Sequence, residues 1–178
     1  KMLGDKDNAV TLSFGREFLQ VSLPFGDVDS AGQVSQNLMV TFTARLIDGK
    51  FPDYERVLPR NSTKVVLGSR ADLKQAFART AILSNEKYRG IRMLLTSGEL
   101  RIVANNPEQE EAEETVAVEY QGDSLEIGFN VSYLLDVLSA INGESAKFSL
   151  SDSNSSALIE EAEADGGNCQ YVVMPMRL

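Results

Sequence analysis

Five of the six glutamates in the stretch NNPEQEEAEETVAVEY crowd its first ten residues: Glu108, Glu110, Glu111, Glu113 and Glu114. Clustered carboxylates are the groups that bind divalent metals or exchange protons in general acid–base catalysis. Here the spacing is dense and sequential, without the periodic ligands and glycine turn of a calcium loop. A solvated acidic surface or a charge-matched interface fits that pattern better than a metal site. Composition closes other routes. The chain has no histidine and a single cysteine, Cys169. It therefore cannot assemble, on its own, a His-assisted nucleophile or a His or thiolate zinc site. Catalysis would have to rest on carboxylates, Lys, Arg or Tyr, and no motif arranges them for it. Neither a metal nor a cofactor is expected.

The charge balance points the same way. Seventeen basic and 26 acidic side chains give a net charge of −9, which argues against broad attraction to nucleic acid but permits a local basic face. Lys74, Arg79, Lys87 and Arg89 form a modest one. No apolar run approaches the ~20 residues needed to span a bilayer, and the opening KMLGDKDN lacks a secretory apolar core. No membrane partner is expected, and a lone cysteine suits a reducing cytoplasm. The end, YVVMPMRL, is unusual, because chain ends are commonly polar and frayed. Either these residues close a core or they line something that another molecule touches.

The elements that must position these groups follow from hydrophobic periodicity. NAVTLSFG, EFLQVSLPF and LMVTFTARL alternate apolar and polar residues, the pattern of half-buried antiparallel strands. GDVDSAGQVSQN reads as a loop. Pro52 and Pro59 make IDGKFPDYERVLPRNSTK an extended connector. From Lys64 the order is strand KVVLGS, helix RADLKQAFARTAILSN, then strands GIRMLLTS, ELRIVANN and ETVAVEYQ. It recurs as strand LEIGFN, helix VSYLLDVLSAI, then strands AKFSLSDS, SALIEEAE and QYVVMPMRL. An internal repeat of this kind predicts pseudo-twofold architecture, with two helices packed on antiparallel sheets in an α+β fold. The opening strands match the tail of a third copy, so a longer natural chain or a partner segment is expected. On the first helix Leu73, Ala76, Phe77, Thr80, Ala81, Leu83 and Ser84 share the buried face, leaving Ile82 outside. On the second, Val131, Leu134, Leu135, Leu138 and Ile141 point inward, Tyr133 sits at the border, and Asn130 is the N-cap.

KQAFARTAILSNEKYRG, ANNPEQEEAEE, EIGFNVSYLLDVL, DGKFPDYERVLP and YVVMPMRL together closely resemble the bacterial DNA sliding clamps, the β subunits of the replicative polymerase. The resemblance extends over nearly the whole chain, in the family's order. It implies the DNA clamp fold of repeated β-α-β-β-β units. By it, residues 1–48 are the second half of the middle clamp domain, 49–62 an interdomain connector and 63–178 the C-terminal domain. It also implies a non-catalytic processivity factor, a homodimeric ring in the full-length protein that holds duplex DNA topologically. Polymerase, clamp loader and repair or translesion polymerases would dock through linear motifs in a hydrophobic cleft. Matched by motif, the cleft comprises Pro52, Arg56, Val57, Tyr133, Ser155, Ser156, Val172, Met174, Pro175, Met176 and Arg177. Asn154 departs from the family's small apolar residue. The ring-closing interface would use Ile82, Leu83, Glu110, Glu111, Glu113 and Glu114, and the DNA-facing side Lys74 and Arg79. Two other readings stand beside it: an isolated peptide-binding module that never encircles DNA, and a hydrolase built on the Glu108–Glu114 cluster.

Overall fold

The computed structural model describes residues 9–25, 38–51, 53–60, 62–163 and 169–177, and the predicted loop GDVDSAGQVSQN lies outside them. The chain divides into two compact units, Lys1–Pro52 and Asp53–Leu178. The first holds β1 (Thr11–Phe14), β2 (Phe18–Phe25) and β3 (Leu38–Arg45), paired antiparallel in that order. Their register aligns Leu12, Val21 and Phe42 across one face and Thr11, Ser22 and Thr41 across the other, as the alternation requires.

The second unit repeats one order twice: β4 (Lys64–Ser69), α1 (Arg70–Thr80), β5 (Gly90–Thr96), β6 (Glu99–Asn105) and β7 (Glu111–Ala117), then β8 (Leu125–Asn130), α2 (Val131–Ala140), β9 (Ser145–Leu150), β10 (Ala157–Glu161) and β11 (Tyr171–Val173). The strands do not stay within their own repeat. The sheets run β11-β10-β9-β4 and β7-β6-β5-β8, so each repeat contributes its leading strand to the other's sheet. Both helices touch both sheets and each other, and a single apolar core runs through the unit. The fold is α+β, as the periodicity predicts.

Local chemistry explains the helix ends. The Ser69 hydroxyl accepts from Asp72 N, and the Asn130 side chain accepts from Ser132 N at 2.9 Å, each satisfying a donor that the first turn leaves free. On α1 Leu73, Ala76, Phe77 and Thr80 are buried, and Thr80 turns its hydroxyl onto the Ala76 carbonyl at 2.9 Å. Arg70, the first residue of α1, reaches across to the end of α2. Its Nη1 donates to the Ile141 carbonyl at 2.5 Å and the Leu138 carbonyl at 3.4 Å.

Several predicted boundaries move. α1 ends at Thr80 and tightens into a 3-10 turn over Ala81–Leu83, leaving Leu83 half-buried. On α2 the buried set includes Val137, while Leu135 is half-buried. The connector contains a 3-10 turn, Tyr54–Arg56, started by Asp53, whose side chain accepts from Glu55 N. An aspartate two residues ahead of a free N–H competes with the extended form that the prolines favour. Two of the clustered glutamates, Glu111 and Glu113, join Glu114 in strand β7, which starts three residues ahead of the predicted ETVAVEYQ. The closing strand is short, Tyr171–Val173.

Candidate functional site

The chain end crosses from one sheet to the other. Val173 is buried in the core, whereas the next residues leave the sheet, and Met176 N donates to the Gly128 carbonyl of β8 at 2.9 Å. β11 and β8 are edge strands of different sheets, so this segment straps the two together. Its apolar side chains are not consumed by that role. Met174 is 72% exposed, Val172, Pro175 and Met176 are half-buried and Arg177 is exposed. Met176 and Arg177 border an open groove of about 440 Å³ together with Gly128, Ser153 and Asn154. Asn154, the departure from the family pattern, therefore stands in the groove wall.

Ser155, next to the groove residue Asn154, is held by a local motif. Asp152 Oδ1 accepts from Asn154 N at 2.8 Å and Ser155 N at 3.0 Å, and Oδ2 accepts from the Ser155 hydroxyl at 2.8 Å. These donors, the Asn154 N–H foremost and the Ser155 hydroxyl second, hold the Asp152 carboxyl below its usual range. Because the folded value lies below the unfolded one, the stabilisation is complete above the unfolded value and is lost as pH falls through the folded one. A ¹³C titration of the Asp152 carboxyl should therefore show a midpoint below the ordinary Asp value of about 3.9. Ser155→Ala should move that midpoint upward; an unchanged midpoint would remove the hydroxyl from the motif. The motif match names Ser155 and not Asp152, although an Asp ahead of Ser-Asn-Ser is a recognisable turn signal.

Other residues assigned to the cleft sit on separate elements. Tyr133 rises from the first turn of α2 with 59% exposure. Val57 follows the connector's 3-10 turn and is half exposed, with Arg56 beside it paired to Asp53 at 3.2 Å. Ser156 is half-buried. Pro52 lies outside the described residues.

The second cluster lies at the end of α1. Ile82 is 76% exposed and borders a polar groove with Leu83, Lys87, Pro107 and Glu110. Asn106 fixes Glu110 by donating to its carboxylate from Nδ2 at 2.6 Å and accepting from its backbone N–H at 2.9 Å. Strand alternation then separates the remaining glutamates. Glu111 and Glu113 are exposed, Glu113 lying 3.5 Å from Arg101. Glu114 turns toward α1, where Arg79 grips it with both arms of its fork, Nη2 at 3.0 Å. That hydrogen bond, more than the Coulomb attraction, raises the Arg79 pKa and lowers that of Glu114. Residues assigned to two different surfaces thus form one ion pair. Lys74 is exposed on the same helix. Among the described residues, no three acidic or thiol side chains converge to hold a metal, and no helix is long and apolar enough to cross a membrane.

Known proteins share this architecture. The family model for the DNA polymerase III beta subunit, C-terminal domain, matches residues 55–177. The beta sliding clamp of Pseudomonas aeruginosa is 69% identical over 138 residues, 78% of this chain and 37% of that protein. The Escherichia coli protein of the same name is 57% identical over 137 residues, 77% of this chain and 37% of that one. The chain thus spans well under half the length of these curated relatives. A crystal structure of the DNA polymerase III subunit beta from Pseudomonas aeruginosa matches 99% of this chain and 44% of its own, at 56% identity and a TM-score of 0.79. Another from the same organism, bound to griselimycin, matches at 56% identity and a TM-score of 0.76, over 99% of this chain and 44% of its own.

Proposed function

This chain belongs to the DNA polymerase III β-subunit family, and from that premise we propose that it serves as part of a sliding clamp, the processivity factor of the bacterial replicative polymerase. In this reading residues 1–48 correspond to the second half of the middle domain, 49–62 to the connector and 63–178 to the C-terminal domain. The role is accessory and non-catalytic, exercised in the cytoplasm. The full-length homodimer encircles duplex DNA, and polymerase, clamp loader and repair or translesion polymerases dock through short linear motifs.

The observation that carries the reading is the tail. Val173 is locked in the core while Met174, next in the chain, is 72% exposed. A flexible, polarisable side chain left in water, two residues from the groove-lining Met176, is suited to repacking around varied Leu or Phe anchors. Met176 shares this role, Tyr133 adds an aromatic rim, and Arg177 offers a fork for peptide carbonyls or carboxylates. Val57, Arg56, Ser155, Ser156, Val172, Pro175 and Pro52 complete the proposed cleft.

The same premise assigns Ile82, Leu83, Glu110, Glu111, Glu113 and Glu114 to ring closure, where acidic charge sets orientation more than affinity. Lys74 faces DNA with Arg79, whose charge Glu114 already balances. A net charge of −9 suits this, because many tight phosphate contacts would impede sliding.

A fluorescent peptide with Gln, Leu and Phe anchors tests the cleft by anisotropy. The double variant Met174→Ala/Met176→Ala should weaken binding about tenfold, the scale of losing interface anchors worth about 1–2 kcal/mol, with the melting temperature retained. Equal affinity in both proteins would sink the assignment.

A further inference from the structure

On the outer face of the β7-β6-β5-β8 sheet, Tyr88, Arg92, Pro107, Met176 and Arg177 border a second open trough, about 490 Å³ in volume. Among the described residues its lining contains two guanidinium groups and no carboxylate side chain, in a chain carrying 26 acidic residues. The Lys87 ammonium lies 5.1 Å from the centre of the Tyr88 ring, so a third cation stands beside one residue of that lining. Apolar surface comes from the half-exposed Tyr88 ring, Pro107 and Met176. Arg92 is held only loosely, its Nη1 3.6 Å from Glu126 Oε1 with both side chains about half exposed. An exposed pair of that length is weak and exchangeable. Arg92, Met176 and Arg177 also border the groove against Ser153 and Asn154, so the two hollows adjoin at the chain end.

We propose that this trough receives the residues flanking the docking motif of the same peptide partner: an extended segment carrying a carboxylate close to an apolar side chain. The inference rests on the peptide-docking reading above and deepens it. Charge complementarity selects the carboxylate, which Arg92 takes in exchange for Glu126, with Arg177 alongside. The Tyr88 ring and Pro107 take the apolar neighbour. Because the cations are exposed, the interaction is screened by salt and contributes selectivity and encounter rate more than raw affinity.

The test compares three labelled peptides by anisotropy at low salt: the Gln/Leu/Phe core, the core extended at each end by an Asp-Phe-Asp segment, and the same extension with Lys for Asp. The acidic extension should bind about 3- to 10-fold tighter than the core, the range of one or two exposed ion pairs, and the Lys extension should not. Arg92→Gln and Tyr88→Ala should each remove most of the gain of the extended over the core peptide, and Tyr88→Ala, which lies outside the groove, should leave the affinity of the core peptide unchanged. Glu126→Gln, which frees Arg92, should increase the gain. An acidic extension that binds no tighter than the core, or a gain that survives both variants, overturns the proposal while leaving the cleft intact. A core peptide that fails to bind at all overturns the cleft, and this trough with it.

Discussion

Phe77→Ala is expected to destabilise the Asp53–Leu178 unit by about 3–5 kcal/mol, the cost of removing a fully buried aromatic from a core that cannot collapse onto the gap. Phe77 has no exposed surface and belongs to the single cluster that both helices and both sheets share. Its helix is gripped from two sides, since α1 packs on both sheets and on α2, so relaxation into the cavity would have to move elements that other contacts hold. Urea unfolding followed by circular dichroism should show a lower midpoint with a similar slope, the signature of lost stability rather than an altered unfolded state. Ile82→Ala, five residues on and 76% exposed, should stay within about 0.5 kcal/mol of the parent. Similar losses for the two variants would contradict the core described above.

Arg70→Ala should cost about 1–3 kcal/mol, the range for hydrogen bonds to a charged donor discounted for a half-buried position. A cation at the first position of a helix is poorly placed for that helix's own dipole. It is well placed for the neighbouring one, because its guanidinium meets the carbonyls of Leu138 and Ile141, where α2 runs out of N–H partners. The backbone supports the reach, with Arg70 N donating to the Glu144 carbonyl at 2.8 Å. Arg70→Lys should recover only part of the loss, since both bonds are made by Nη1 and a lysine ammonium sits one bond nearer the backbone, short of the two carbonyls. Thermal unfolding of the two variants checks this. If lysine restored full stability, charge alone would explain the residue and the longer reach of the guanidinium would be irrelevant.

Local features were readable from the sequence because they are set locally. The repeated strand–helix–three-strand order, the inward face of α1 and the Asn130 cap all depend on residues within a few positions of one another. What escaped is decided at a distance. No periodicity specifies that β4 pairs with β9 and β8 with β5, since any strand with one apolar face can pair with several others. β7 was misjudged at its start because glutamate disfavours strands in general. At a sheet edge, though, exposed charge is favourable, discouraging further strand addition, and Glu111 and Glu113 stand there. The pairing of Arg79 with Glu114 joins side chains 35 positions apart, and nothing in their spacing announces it. Of the proposed cleft, the motif match picks out residues, but the way Asp152 holds Ser155 and the strap from Met176 to Gly128 become visible only in three dimensions.

The trading of leading strands has a bearing on how this unit could be cut. Severed between Ala117 and Leu125, neither half would retain a four-stranded sheet, because each would have left one strand behind in the other. The halves could regain their sheets only by finding each other in solution, an encounter that dilution opposes. The covalent link turns that bimolecular search into a short loop closure, whose entropy cost grows only slowly with length, so assembly of this unit proceeds at any protein concentration.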